Sequence, residues 1–224
     1  MSSDAPSFDS EAFIHANTAL EAPSLVPEIA LHLASAVTPL WHATEATLAA
    51  TQLPPPYWAF AWPGGQALAR HLLDHPTLVA GKSVLDIGAG SGLVAIAAKK
   101  AGAHRVVAAE IDALARAAIG LNAARNAVAI EIESADLIGG AGAWDMILVG
   151  DMCYERPLAE RLTAWLHALA ARGATVLLGD PGRAYLPKDR LREIARYSVP
   201  TSLDLEDRTI RETVIWQLGD TLAI

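Results

Sequence analysis

The chain has 224 residues, enough for one domain with a sizeable hydrophobic core. A hydrophobic content of 52% excludes an intrinsically disordered protein, and a formal net charge of -8 argues against a general nucleic-acid binder. The single cysteine, Cys153, excludes an intramolecular disulfide framework and a cysteine-cluster zinc site, and it favours a reducing compartment.

The N-terminal stretch "MSSDAPSFDSEAF" is acidic and shows neither the apolar core of a signal peptide nor an Arg-rich transit pattern. The longest apolar stretches are interrupted before the roughly 18 residues that a membrane span needs. We therefore expect a cytoplasmic protein that does not engage a membrane.

Residues 1–55 are predicted to form an N-terminal extension, of which about the first ten residues are expected to be mobile. A short helix is predicted over "SEAFIHANTAL" with Ser10 as its N-cap. The alternation in "PEIALHLAS" predicts a strand with Ile29, Leu31 and Leu33 on one side. "TQLPPPYWAFAWPGG" then interrupts regular structure with three consecutive prolines and a glycine pair, and residues 56–224 are predicted to form the main domain.

Strands and helices alternate through most of the main domain. After a helix in "GQALARHLLDHP", ended near Pro76, strands are predicted in "KSVLDIG", "RVVAAEI", "AIEIES", "WDMILVG" and "ATVLLGD". Helices are predicted in "SGLVAIAAKKAG", "DALARAAIGLNAARN" and "PLAERLTAWLHALAARG". Continuous apolar strands predict a parallel α/β sheet with helices on both faces. The segment around "EDRT" predicts an antiparallel hairpin at the sheet edge.

A glycine-rich turn, "VLDIGAGSG", joins the first strong strand to a helix. Gly88, Gly90 and Gly92 let the backbone turn tightly and approach a ligand without Cβ clashes. The helix that follows directs backbone N–H groups toward the same crevice, where ligands of open α/β sheets bind. Taken alone, the motif supports either a nucleotide-like ligand or a structural tight turn.

Three acidic residues follow three successive strands and narrow the choice of ligand. Asp86 is poorly placed beside a pyrophosphate but suits a cation, and Glu110 can accept hydrogen bonds from a ribose. Asp136 is positioned to hold an adenine amino group. S-adenosylmethionine carries a positive charge, a ribose and an adenine. Asp86 and Asp136 disfavour a dinucleotide oxidoreductase. The motif also lacks the Lys-Ser/Thr of a P-loop. The alternative is that each acid caps a helix.

"VLDIGAGSG", "AAEID", "SADL" and "WDMILVGDMCY" resemble the motifs of class I, seven-β-strand methyltransferases. "YWAFAWPGGQALARHLLDHP", "WDMILVGDMCYE" and "LLGDPGR" resemble more closely the electron transfer flavoprotein β-subunit lysine methyltransferases, over about residues 25–218. The resemblance implies a sheet of strand order 3-2-1-4-5-7-6 with strand 7 antiparallel. It also implies S-adenosylmethionine as donor, S-adenosylhomocysteine as product, no metal, and a lysine of the flavoprotein β subunit as acceptor.

The same resemblance assigns Trp62, Gly64 and Gly65 to the cofactor pocket, and Asp151 and Tyr154 to the acceptor side as the catalytic pair. The complete predicted cofactor set is Trp62, Gly64, Gly65, Asp86, Gly88, Ala89, Gly90, Glu110, Ile111, Asp136, Leu137 and Gly150. Glu110 departs from the family, because many relatives have Asp there, and the longer acid is expected to serve the same role.

The chemistry of Asp151 and Tyr154 suits a lysine acceptor. The lysine ammonium has an ordinary pKa near 10.4 and must lose a proton before its nitrogen attacks a sulfonium methyl group. A carboxylate at the strand end attracts and aligns the ammonium, while water can take the proton. The Tyr154 ring offers a π face to the cation and its hydroxyl can orient the amine.

Four further residues are predicted to contact the protein substrate: Tyr57, Trp58, Asp180 and Arg183. Asp180 and Arg183 could alternatively pair with each other. Cys153 is predicted to be a small buried thiol rather than a nucleophile. His71 and His75 have the spacing of a metal pair, but without "HExxH" a solvated or capping role is expected.

Other functions stay open at this point. The acceptor could be another protein lysine or a small-molecule nitrogen, and the chain could be a cofactor-binding partner protein that has lost catalysis. A nucleic-acid substrate is disfavoured, because "GDMCY" lacks the Pro-Pro pair of the adenine or glutamine N-methyltransferase signature.

Overall fold

A computed structural model describes residues 8–34, 55–203 and 206–219. The strands are β1 (Ala19–Glu21), β2 (Leu31–Leu33), β3 (Ser83–Ile87), β4 (Arg105–Ala109), β5 (Glu131–Glu133), β6 (Met146–Gly150), β7 (Thr175–Asp180), β8 (Leu191–Pro200) and β9 (Ile210–Leu218). The α-helices are α1 (Ser10–Asn17), α2 (Pro63–Asp74), α3 (Leu93–Lys100), α4 (Ala113–Arg125) and α5 (Arg156–Ala170). Short 3-10 helices span Tyr57–Ala59 and Pro76–Leu78.

Seven strands form one sheet in the order β5-β4-β3-β6-β7-β9-β8. Counted from β3, this is the order 3-2-1-4-5-7-6, and β9 pairs antiparallel with both β7 and β8. The predicted topology is therefore confirmed, including the C-terminal hairpin. A register shift between Glu193 and Ala195 marks an irregularity in the edge strand.

Strands β3, β4, β6 and β7 are buried on both faces, as continuous apolar strands predict, whereas β5 and much of β8 are exposed. Every second residue of a strand faces the same side of the sheet. On one face, Val84 and Leu148 pack in a cluster with residues of α2 and α3 and with Ile119 of α4. Leu85 and Ile147 face the other side, where the apolar stripe of α5 covers them. The side-chain period of two thus divides the core into two layers around the sheet.

The N-terminal segment differs from expectation in its details. Asp9, not Ser10, is the N-cap of α1, and its carboxylate accepts a hydrogen bond from the Ala12 amide. The tail of the predicted helix instead forms β1, which pairs antiparallel with β2. The strand predicted around Leu31 is only three residues long, and all three are buried.

This segment packs onto the main domain. Ile14 of α1 lies in a cluster with Trp58 and Leu114, and Ile29 lies in another with Ile96 of α3. The division of the chain at residue 55 stays a prediction, and residues 35–54 lie outside the described part.

The register of the parallel strands aligns their carboxyl ends. Ile87 pairs with Ala109 and with Val149, and Gly150 pairs with Gly179. The polar residues at the carboxyl ends of β3, β4, β6 and β7 therefore meet on the same side of the sheet. Within the described ranges, no helix is long and apolar enough to cross a bilayer; a cytoplasmic location stays a prediction.

Candidate active site

The glycine-rich turn leaves a cleft beside its backbone at this edge of the sheet. Gly88 and Gly90 have φ angles of 66° and 53°, which favour glycine. A Cβ on Gly88 would collide with the thioether of Met152. The cleft and the open space at its mouth together have a volume of about 400 Å³. Besides the turn, the lining includes Tyr57, Phe60, Ala61, Trp62, Gly65, Gly150 and Asp151.

Asp86 lines this cleft from within β3. Its Oδ2 accepts a hydrogen bond from the Ala95 amide in the first turn of α3, at 3.0 Å. The residue is only 2% exposed, and burial together with the charge of Glu110 raises its pKa to about 8. A buried carboxyl group in this position is ready to ionise when a cation comes close.

Glu110 follows β4 and joins two backbone segments. Its Oε2 accepts from the Gly90 amide, and its Oε1 accepts from the Asp112 amide, both at 3.0 Å. The next side chain, Ile111, is 69% exposed. A carboxylate on the glycine turn with an exposed apolar neighbour matches the needs of a ribose and an adjoining base.

Helix α2 approaches the sheet edge unusually closely. A Cβ on Gly64 would collide with the Gly179 carbonyl oxygen, and a Cβ on Gly179 would collide with the Gly64 carbonyl. A Cβ on Gly150 would lie 3.2 Å from Gly65. Glycines on both partners therefore let the N-terminus of α2 meet the ends of β6 and β7.

Asp151 sits where these elements converge. Its φ of 56° is left-handed, which is uncommon for a residue other than glycine. Its amide donates to the Gly179 carbonyl, and its Oδ2 accepts from the Gly65 amide at 3.0 Å. Burial raises the pKa of Asp151 to about 6, against the opposing effect of Arg183. Backbone and side chain are thus both held by the contact between α2 and β7.

Arg183 binds Asp151 from the loop after β7. Its Nη2 and Nε lie 2.7 Å and 3.1 Å from Asp151 Oδ1, and its Nη2 also lies 2.6 Å from Glu206. Asp180 shapes this loop, because its Oδ1 accepts from the amides of Gly182 and Arg183 at 2.7 Å. Asp180 and Arg183 are therefore linked through the backbone, while the guanidinium pairs with other acids.

Aromatic rings surround the mouth of the cleft. Tyr57 and Tyr154 are 43% and 45% exposed, with ring centroids 5.8 Å apart. Trp62 packs edge-on against Tyr57 at 6.1 Å and donates its indole N–H to the Tyr57 carbonyl. The Arg183 guanidinium lies 5.6 Å from the Trp62 ring centre. Tyr57 and Trp62 therefore line the cleft together with Asp151, and Tyr154 adjoins them through Tyr57.

Three predicted site residues lie elsewhere. Trp58 is 1% exposed and packs in the core rather than at the entrance. Asp136 accepts from the Ile138 amide and forms an exposed ion pair with Arg161 of α5 at 2.7 Å. Leu137 packs against the core face that α5 covers. None of these three residues lines the cleft, and the roles assigned to them stay predictions.

The two other features flagged by the sequence are structural. Cys153 is a buried free thiol, and burial raises its pKa to about 12, so it is not a ready nucleophile. His71 is buried and contacts the Tyr197 hydroxyl at 3.0 Å, which corrects the expected solvated or capping role, whereas His75 is exposed and is the C-cap of α2 as expected. Among the described residues, no group of three or more His, Cys, Asp and Glu is arranged to hold a metal.

Comparison with known proteins identifies the family. The family model of ribosomal protein L11 methyltransferase (PrmA) matches residues 67–150. The electron transfer flavoprotein beta subunit lysine methyltransferase of Danio rerio is 39% identical over 217 residues, covering 93% of this chain and 83% of the relative. The Homo sapiens protein of the same name is 38% identical and covers 92% and 80%. The chain belongs to this lysine methyltransferase family.

A solved structure agrees at the level of the fold. Magnesium protoporphyrin IX methyltransferase from Synechocystis PCC 6803, determined with bound SAM, superposes with a TM-score of 0.54. It is 19% identical and covers 70% of this chain and 80% of that one, so the likeness shows the fold alone. The resemblance and the seven-strand methyltransferase fold expected from the sequence are both confirmed.

The cleft fits the S-adenosylmethionine that such a fold implies. Positive-φ glycines expose the backbone, and the carboxyl group of Asp86 can face a cation. Glu110 adjoins the lining through its hydrogen bond to the Gly90 amide, and the exposed Ile111 follows it. Of the predicted cofactor residues, seven line the cleft: Trp62, Gly65, Asp86, Gly88, Ala89, Gly90 and Gly150.

Several residues of the site escaped the sequence analysis. Gly179 carried a signal, because a glycine at the end of a buried strand suggests a close backbone approach. Phe60 and Ser91 line the cleft but carried none. Glu206 carried none either, since only the pairing of β8 with β9 brings its turn to Arg183.

Proposed function

We propose that this methyltransferase transfers the methyl group of S-adenosylmethionine to the ε-amine of a lysine in the β subunit of electron transfer flavoprotein. The observation that carries the proposal is the buried Asp151, which lines the cleft with Tyr57 and Trp62, while Tyr154 packs beside Tyr57. A carboxylate at the end of an aromatic-walled entrance is suited to a long side chain with a cationic end.

The residues of the glycine turn and β4 would hold the cofactor. When bound, S-adenosylmethionine supplies an electrophilic methyl group on a sulfonium. Asp86 would offer a carboxylate to the positive charge, Glu110 would accept hydrogen bonds from the ribose, and Ile111 would pack against the base. The bare backbone at Gly88 and Gly90 would let the ligand approach closely.

Asp151 would receive the lysine ammonium and align its nitrogen with the methyl group. Orientation of this kind is the main source of acceleration available to the site, since no covalent intermediate is required. Tyr154 would bound the lysine stem with its ring and orient the amine with its hydroxyl. Water at the exposed mouth can take the proton, so Asp151 need not act as the base.

The test is incubation with radiolabelled S-adenosylmethionine and the purified, intact flavoprotein. We expect label on the β subunit with wild-type protein. Asp151→Asn keeps the shape but removes the charge, so turnover should fall by about 100-fold or more, as for loss of a transition-state electrostatic contact. Cofactor affinity, measured by calorimetry, should stay within a few-fold.

Two results would contradict the proposal. Label on a different protein lysine or on a small amine, with none on the β subunit, would replace the substrate by one of the alternatives. A collapse of cofactor binding in Asp151→Asn would place Asp151 on the cofactor side of the site instead.

A further inference from the structure

Arg183 is held more tightly than a substrate-contacting surface arginine needs to be. Its side chain is 17% exposed, and its partners Asp151 and Glu206 are 10% and 5% exposed in their side chains. Two guanidinium nitrogens share one oxygen of Asp151, while the Gly65 amide binds the other. The carboxylate is therefore fixed from two sides.

Glu206 is a second acidic partner of Arg183 and competes with Asp151 for the same guanidinium nitrogen. It comes from the turn between β8 and β9, and its Oε2 lies 3.3 Å from Nε of Arg211, the second residue of β9. The turn itself is braced, since the Thr201 amide donates to the Thr209 carbonyl and the Glu206 amide donates to the Ser202 carbonyl. A chain of charges thus runs from the C-terminal hairpin to Asp151.

We propose that Arg183, which Asp151 and Glu206 share, is a positioning residue for methyl transfer: it acts through Asp151, holding that carboxylate charged and oriented toward the acceptor. The inference rests on the function proposed above. Asp151 lines the cleft, whereas Arg183 does not. The guanidinium of Arg183 reaches Asp151 from the loop after β7. Arg183 can therefore support Asp151 while the lysine binds from the cleft.

The groups that face Asp151 show why such support is needed. Asp180 at the end of β7 adds negative charge, and Cys153 lies on the same loop as Asp151. The positive charge of Arg183 opposes this repulsion and the burial, while the Gly65 amide contributes a hydrogen bond. Burial still prevails and leaves the pKa of Asp151 near 6, so loss of Arg183 must raise the pKa further.

The experiment follows the protonation of Asp151 directly. Full-length protein labelled with carboxyl-¹³C aspartate is titrated by NMR, and the Asp151 signal is assigned by its loss in Asp151→Asn. Three variants are compared with wild type. Arg183→Gln removes the positive charge, Arg183→Lys keeps it, and Glu206→Gln removes the negative charge that competes for Arg183.

The titration midpoint of Asp151 is expected to move in opposite directions in Arg183→Gln and Glu206→Gln. Arg183→Gln should raise the midpoint by about one pH unit or more, as for a charge lost at hydrogen-bond distance. Glu206→Gln should lower it, and Arg183→Lys should stay close to wild type. Methylation by Arg183→Gln should be lost far more at pH 6 than at pH 8.5, with most of it rescued by Arg183→Lys.

A structural role alone would reduce activity equally at both pH values and leave the midpoints unchanged. An unmoved midpoint in Arg183→Gln, or a rise in Glu206→Gln, would overturn the proposal. If Arg183→Gln does not fold, Arg183→Met is the neutral variant of similar length, with the same expected rise in the midpoint. The NMR titration needs no substrate, so it separates failure of this inference from failure of the proposed acceptor.

Discussion

Asp86 is a carboxyl group whose burial keeps it protonated near neutral pH. Its pKa of about 8 lies above the ordinary value of 3.8, so the folded chain holds a proton that the unfolded chain has released. The contribution of Asp86 to stability therefore falls as pH rises between about 4 and 8. A bound cation reverses this preference, because it favours the ionised form.

At the residue scale we therefore expect proton release when S-adenosylmethionine binds. Its affinity should weaken as pH falls from 8.5 to 6, approaching tenfold per unit at the acidic end. Asp86→Asn should flatten that dependence, which calorimetry can measure. S-adenosylhomocysteine has the same amino group but no sulfonium charge. Comparing the pH dependence of the two ligands therefore shows whether the sulfonium charge is the cation that Asp86 faces. Identical pH slopes for wild type and Asp86→Asn would contradict the assignment.

At the scale of elements, the site depends on how closely α2 packs against β6 and β7. The Gly65 amide reaches Asp151 because Gly64 and Gly179 meet backbone to backbone. The sequence marked Gly64 and Gly65 through the resemblance, and it marked Asp151 through an acid after a buried strand. It did not indicate that these residues touch, since that contact joins positions 86 residues apart.

The two adjacent glycines give a matched pair of variants. Gly64→Ala should cost about 1–3 kcal/mol of stability, because its Cβ would overlap the Gly179 carbonyl. It should also lower turnover by displacing Asp151. Gly65→Ala should leave stability nearly unchanged, since its Cβ would lie 3.9 Å from Val94 and its amide is retained. Urea denaturation measures both, and equal losses in the two variants would refute this account.

At the scale of the whole molecule, the N-terminal segment is part of the main core. Asn122 of α4 is fully buried and links two regions, because it accepts from the His32 amide and donates to the Ser91 carbonyl. Asn126 makes a similar pair of bonds with Ala30. The segment therefore braces the glycine turn from behind through α4.

Ile29 tests this bracing role. It is 0% exposed, and Ile29→Ala should cost about 2–5 kcal/mol, as for other large-to-small changes in a core. Leu20 is 48% exposed in the same segment, so Leu20→Ala should change stability by no more than about 0.5 kcal/mol. Thermal unfolding of both variants is the measurement. A similar small shift for each would show that the segment is only loosely attached.

The sequence by itself determined the sheet, the glycine turn and the acids that follow successive strands. These features depend on local patterns: continuous apolar strands, glycines where φ is positive, and helical spacing between them. The family resemblance then supplied the order of the strands.

Tertiary structure alone decided which polar groups share the site. Asp136 pairs with Arg161 outside the cleft, and Trp58 turns into the core, although both follow plausible local signals. Glu206 reaches Arg183 only because the C-terminal hairpin folds back beside β7. Charge pairing and side-chain burial depend on neighbours that are distant in sequence, and no local pattern encodes them.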